Sequence, residues 1–157
     1  VPETPVDDAV RALLHRYCEL QDAADFAACS ALFADAVYAV AGGERCFGAD
    51  AVYALKTHHD RVHDDGTLRT KHVTTNTIVE PGPGPDECAA RSYFTVYQAT
   101  PGLPLQAVVL GRYHDRFVRR EGAWRFAERT IHVDLRGDLT GHLTDPDTAA
   151  GASADGG

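Results

Sequence analysis

The stretch Thr67 to Asn76, TLRTKHVTTN, carries one histidine among hydroxyl-bearing residues. Read as a β-strand, it places His72, Thr74 and Asn76 on one face, because side chains two apart on a strand point the same way. An imidazole titrates near neutrality, so His72 is the candidate proton-transfer group if that face lines a cavity. Asp22, in the linker after the first predicted helix, is the carboxylate that could orient such a ring and favour its protonated form. Tyr17 and Tyr113 offer phenol hydroxyls for a ligand oxygen. Asn76 could bind a ligand oxygen or a neighbouring backbone group. By residue type alone, Asp22 also suits a capping role, His72 a hydrogen-bonded strand histidine, and Tyr113 a core tyrosine.

Other clusters suggest less chemistry. The segment His59-Asp60-Arg61-Val62-His63 spaces two histidines four apart, but it has aspartate where a metalloprotease helix has glutamate, and no third ligand is evident. An exposed helix face is the expectation, with no metal. Cys18, Cys29, Cys46 and Cys88 form no CxxC pair and show no zinc spacing, so buried free thiols in a reducing cytoplasm are expected. Arg112, Arg116, Arg119, Arg120 and Arg125 read as the solvated face of a hairpin.

The elements that must position these residues follow from periodicity. Residues 5–23 repeat apolar side chains at helical spacing (Val6, Val10, Leu13, Leu14, Tyr17, Leu20) with Asp7 and Asp8 at the N-terminus. A short second helix is predicted at 26–33, capped by Asp25. Short strands follow at 36–40 and 45–47 around Gly42-Gly43, and a third helix at 50–64. Four strands are predicted at 68–80, 87–99, 105–119 and 123–134, separated by the Pro-Gly run at 81–85, by Pro101-Gly102 and by Glu121-Gly122. Helices followed by strands indicate an α+β domain over residues 1–143. The apolar-poor stretch 144–157 reads as a disordered tail. Phe33, Tyr53 and Trp124 are expected in the core or the pocket wall.

The 157 residues suit one domain with a real core. A net charge of −8 argues against nucleic acid, whose binding rests on basic phosphate contacts. No apolar run is long enough to span a bilayer, and the start lacks a signal-peptide pattern.

The segments RYCELQDAADFAACSALFADAVY, TLRTKHVTTN, GRYHDRFVRREGAWRFAER and VDLRGDLTGHL resemble the SnoaL-like branch of the NTF2-like superfamily, over roughly residues 5–143. That branch includes scytalone dehydratase, bile-acid 7α-dehydratase, polyketide cyclases and small subunits of ring-hydroxylating dioxygenases. The resemblance implies a cone: a bent antiparallel sheet with three N-terminal helices on its concave face, usually dimeric. It also implies a site. Asp22 matches the dehydratases' aspartate, His72 matches the strand histidine of scytalone dehydratase, and Tyr17 matches the helix tyrosine of the bile-acid enzyme. Gln98 stands near scytalone dehydratase's second histidine. By the same analogy Ser92, Phe94, Val96 and Gln98 face the pocket, with Asn76, Tyr113, Phe33 and Tyr53 as further substrate contacts. The function implied is cofactor-independent dehydration of a small hydrophobic polycyclic or polyketide-like molecule. Alternatives are an aldol-type cyclase or isomerase using the same residues, and a non-catalytic ligand-binding or oxygenase small-subunit module.

Overall fold

A computed structural model of the chain describes residues 5–147. Helix α1 (Val6–Asp22) buries Val10, Leu14, Tyr17, Cys18 and Gln21 along one stripe, at the three- and four-residue spacing that puts side chains on one face. The chain then reverses through Ala24, in the left-handed region at φ 55°. Helix α2 (Phe26–Ala31) starts at Asp25, whose carboxylate accepts the Ala28 N–H at 3.1 Å. Strands β1 (Val37–Val40) and β2 (Arg45–Phe47) form a small hairpin, and helix α3 (Ala49–His59) follows. Four long strands complete the domain: β3 (Thr70–Pro81), β4 (Glu87–Thr100), β5 (Leu103–Arg120) and β6 (Ala123–Arg136).

The six strands form one bent, unclosed sheet in the order β2-β1-β6-β5-β4-β3. The sheet is mixed, not purely antiparallel as expected, because β1 joins β6 in parallel. Alternation within a strand fixes which face is buried but carries no information on the direction of a partner ninety or so positions away. The core is aromatic and aliphatic: Phe33 stacks on Phe126 at 4.8 Å, and Phe94 on Tyr113 at 4.4 Å.

Two boundaries differ from the periodicity. Helix α3 stops at His59, because Asp60 is extended (φ −82°, ψ 132°) and bridges to Leu143, while the Arg61 N–H donates to the His142 carbonyl. His59 and His63 therefore share no helix face, and a ring nitrogen of His63 lies 2.9 Å from the Gly141 carbonyl. The domain also extends past 143: the Thr144 hydroxyl donates to the His58 carbonyl at 2.7 Å. Residues 144–147 of the expected tail are thus described, and the remainder lies outside the described residues.

The cysteines are free, with Cys18, Cys29 and Cys88 buried. The arginine stripe is largely paired, Arg112 with Asp134, Arg116 with Glu128, Arg119 with Asp86 and Arg125 with Glu121. No helix among the described residues is long and apolar enough to cross a membrane.

Candidate active site

A cavity of about 350 Å³ opens between the helices and the inner face of the sheet. Alternation on β4 turns Ser92, Phe94, Val96 and Gln98 inward and leaves Arg91, Tyr93 and Tyr97 on the outer face. On β3 the same alternation brings in Thr70, His72 and Thr74.

His72 lines the cavity, and Asp22, from the last position of α1, stands behind it. Nδ1 of His72 lies 2.6 Å from Asp22 Oδ1, and both side chains are at most one-tenth exposed. Asp22 also accepts the Thr70 hydroxyl at 2.7 Å and the His72 backbone N–H at 3.0 Å. Burial pushes the Asp22 pKa up. The hydrogen bond and charge of His72 and the Thr70 hydroxyl more than offset that, so the carboxyl is held below its ordinary value. An ionised carboxylate only accepts, so Nδ1 carries the proton and Nε2 is the nitrogen left for a ligand.

A second polar group lies in the same cavity. The hydroxyls of Tyr17 (α1) and Tyr38 (β1) are 3.0 Å apart. Nζ of Lys56, from α3, donates to Gln21 Oε1 at 2.7 Å and to both phenol oxygens at 3.4 Å. The Gln21 amide in turn donates to Asp60 at 2.7 Å. Burial also raises the Tyr17 pKa well above the usual phenol range, so Tyr17 remains a protonated donor. His142, from the segment after β6, packs its ring 6.2 Å from that of His72. It is 8% exposed, its Nδ1 has no hydrogen-bond partner among the described residues, and burial lowers its pKa to about 4.

Of the residues singled out in the sequence, His72, Tyr17, Phe94 and Tyr113 line the cavity, with Asp22 directly behind. Four of the six expected substrate contacts do not line it. Asn76 is exposed, because the β-bulge between Thr75 and Ile78 adds a residue and inverts the alternation beyond Thr75. Phe33 is core, packed against Tyr38 and Phe126. Gln98 faces inward but its amide donates to the Leu68 and Gly141 carbonyls, tying β4 to the C-terminal segment. Tyr53 lies on the outer face of α3, 47% exposed. Sequence reasoning missed Gln21, Tyr38, Lys56 and Asp60. A signal existed for two of them: Gln21 follows Tyr17 by four residues, and Lys56 follows the buried Val52 by four. Among the described residues no group of three or more His, Cys, Asp or Glu side chains could hold a metal ion.

A sequence profile of the SnoaL-like domain matches residues 2–130, most of the chain. The protein belongs to the SnoaL-like family. Solved structures agree with the assignment. An NTF2-like protein with a cystatin-like fold from Novosphingobium aromaticivorans is 25% identical, with a TM-score of 0.69 over 86% of this chain and 85% of that one. Two others from the same organism share the fold. A candidate scytalone dehydratase is 21% identical (TM-score 0.67; 83% and 85% covered). A candidate aromatic-ring-hydroxylating dioxygenase β subunit is also 21% identical (TM-score 0.66; 86% and 94% covered). No curated protein matches the chain.

Proposed function

We propose that this SnoaL-like protein is a lyase that dehydrates a hydroxylated polycyclic or polyketide-like small molecule without a cofactor. The observation that carries this reading is the Asp22–His72 pair, with the carboxylate behind the ring and the ring at the wall of a largely apolar cavity. Nε2 of His72 takes a proton from the carbon next to a substrate carbonyl, and Asp22 stabilises the imidazolium that results. The electrons move onto the carbonyl oxygen, which accepts a hydrogen bond from the Tyr17–Tyr38 pair. The enolate then reforms the carbonyl as a carbon–carbon double bond forms and the β carbon–oxygen bond breaks. The departing hydroxide takes the proton from His72 and leaves as water. The fold shared with the candidate scytalone dehydratase is compatible with this chemistry.

The test is incubation with a panel of hydroxylated polycyclic ketones, read by mass spectrometry for loss of one water. Wild type should convert at least one member, and a folded His72→Ala variant should be slower by about 10²–10⁴-fold. Near-wild-type turnover by His72→Ala would remove the assignment. A product of unchanged mass would redirect it to isomerisation or aldol-type cyclisation by the same pair.

The fold shared with a candidate dioxygenase β subunit favours a second reading, a non-catalytic subunit of a larger metal-containing oxygenase. Light scattering on protein from its native source separates the two. The lyase reading includes a free homodimer, whereas the subunit reading requires a stable complex with a larger chain.

A further inference from the structure

Lys56 is an ammonium group inside the cavity with no counter-ion in contact among the described residues. It is 3% exposed, and its three described hydrogen bonds go to neutral oxygens, those of Gln21, Tyr17 and Tyr38. Asp60, the nearby carboxylate, is held away on the far side of the Gln21 amide. Burying a charge is costly unless it is paired. Burial therefore works to lower the Lys56 pKa, but Tyr38, Cys29 and Asp60 around it more than offset that and keep the amine above its usual value. A charged amine is a donor and not a nucleophile.

A count of protons at the cluster gives a second observation. Tyr17 and Tyr38 have two hydroxyl protons between them, and one of these is used in their mutual hydrogen bond. Lys56 donates to both oxygens, so it takes neither proton. The remaining phenol proton has no acceptor among the described hydrogen bonds, and both tyrosines line the cavity. Lys56 holds the two phenols only at 3.4 Å, longer than the usual range for charge-assisted bonds, so these contacts are easily exchanged for a better acceptor.

We propose that Lys56 and the Tyr17–Tyr38 hydroxyl pair form an oxyanion-binding subsite, and that the ligand carries an acidic oxygen bound there as its anion. Carboxylates, and enols or phenols that ionise on binding, share this chemistry. The proposal rests on the reading of the cavity as the substrate site and narrows the substrate to molecules with such an oxygen. Through Gln21, which lies next to Asp22 in α1, the subsite and the proton-transfer pair are built on the end of one helix.

The test uses 2-naphthoate, its neutral isostere 2-naphthamide, and 2-naphthol as probes, titrated by calorimetry and absorbance at neutral pH. The expected result is binding of naphthoate about tenfold or more tighter than naphthamide, or binding of naphthol with the spectrum of its anion. The first outcome identifies a carboxylate site and the second an enol or phenol site. Either preference should disappear in Lys56→Met and persist in Lys56→Arg. It should also persist in Arg136→Gln, which removes the other cationic side chain at the cavity wall. If neither acid binds more tightly than the amide, or if the preference survives in Lys56→Met, the proposal is overturned. Should Lys56→Met not fold, the ¹⁵Nζ resonance of Lys56 in wild type decides instead, since it must shift with naphthoate or naphthol and not with naphthamide. His72→Ala should keep the charge preference, so failure of the lyase reading and failure of this subsite give different results.

Discussion

Asp22 receives three kinds of hydrogen bond, from a ring nitrogen, a hydroxyl and a backbone N–H, and each favours its ionised form. Replacing it by asparagine keeps the shape but removes the charge that fixes the His72 tautomer and stabilises the imidazolium. Asp22→Asn should therefore lower kcat by about 10²–10⁴-fold with a smaller change in KM, measured on the substrate the panel identifies. His142 gives a pH prediction. Its ring titrates near the ordinary imidazole value of 6.5 when unfolded and is lowered to about 4 in the fold. As pH falls below the unfolded value, the unfolded chain gains a proton that the folded ring refuses, so stability is full above that value and is lost toward pH 4. The loss reaches about 3 kcal/mol at most. Urea denaturation at about pH 7.5 and about pH 4.5 should show a drop that His142→Phe reduces by that order. Asp22 acts in a lower window: its contribution is full above its unfolded pKa and is lost as pH falls through its lowered folded value.

Elements decide which of these residues meet. The strand alternation in β4 was legible in the sequence as two faces, and the family resemblance picked the one that carries Phe94 as inward, where the structure has it. The bulge in β3 was not legible, because TTNT contains no glycine or proline to mark an extra residue, and Asn76 was therefore assigned to the wrong face. Asn76 adopts φ 54°, which asparagine tolerates and β-branched residues do not. Asn76→Val should cost about 1–3 kcal/mol in chemical denaturation, and Asn76→Gly should cost little. Neither should alter ligand binding, since the residue faces solvent. Gly111 on β5 sets a tighter limit. A Cβ there would overlap the His132 carbonyl oxygen and press on the Phe94 ring, which stacks on Tyr113 in the cavity wall. Gly111→Ala should destabilise by about 1–3 kcal/mol and also weaken ligand binding, measured by denaturation and titration of the same sample.

At the scale of the molecule, one buried ion pair joins the layers. Arg129 on β6 grips Asp115 on β5 through two hydrogen bonds of 2.8 Å, with both side chains fully buried. The guanidinium lies 3.8 Å from the Tyr113 ring centre and 4.3 Å from that of Tyr17, so it links the sheet to α1. Removing one partner strands a charge: Arg129→Met should cost about 3–5 kcal/mol, and the double change Arg129→Met with Asp115→Leu should recover most of it. A double-mutant denaturation cycle checks this. The sequence by itself determined the element order and the α+β class, which local periodicity carries, and the family, which short motifs carry; the resemblance pointed to Asp22 and His72, and the fold brings them into contact. Only the tertiary structure decided the parallel β1–β6 pairing, the end of α3 at His59, and the gathering of Tyr38, Lys56, Asp60 and His142 around one cavity. Those four come from β1, from α3 and the residue after it, and from the segment following β6. Nothing local in the chain encodes their meeting, which follows from how the sheet bends and from where the C-terminal segment closes over it.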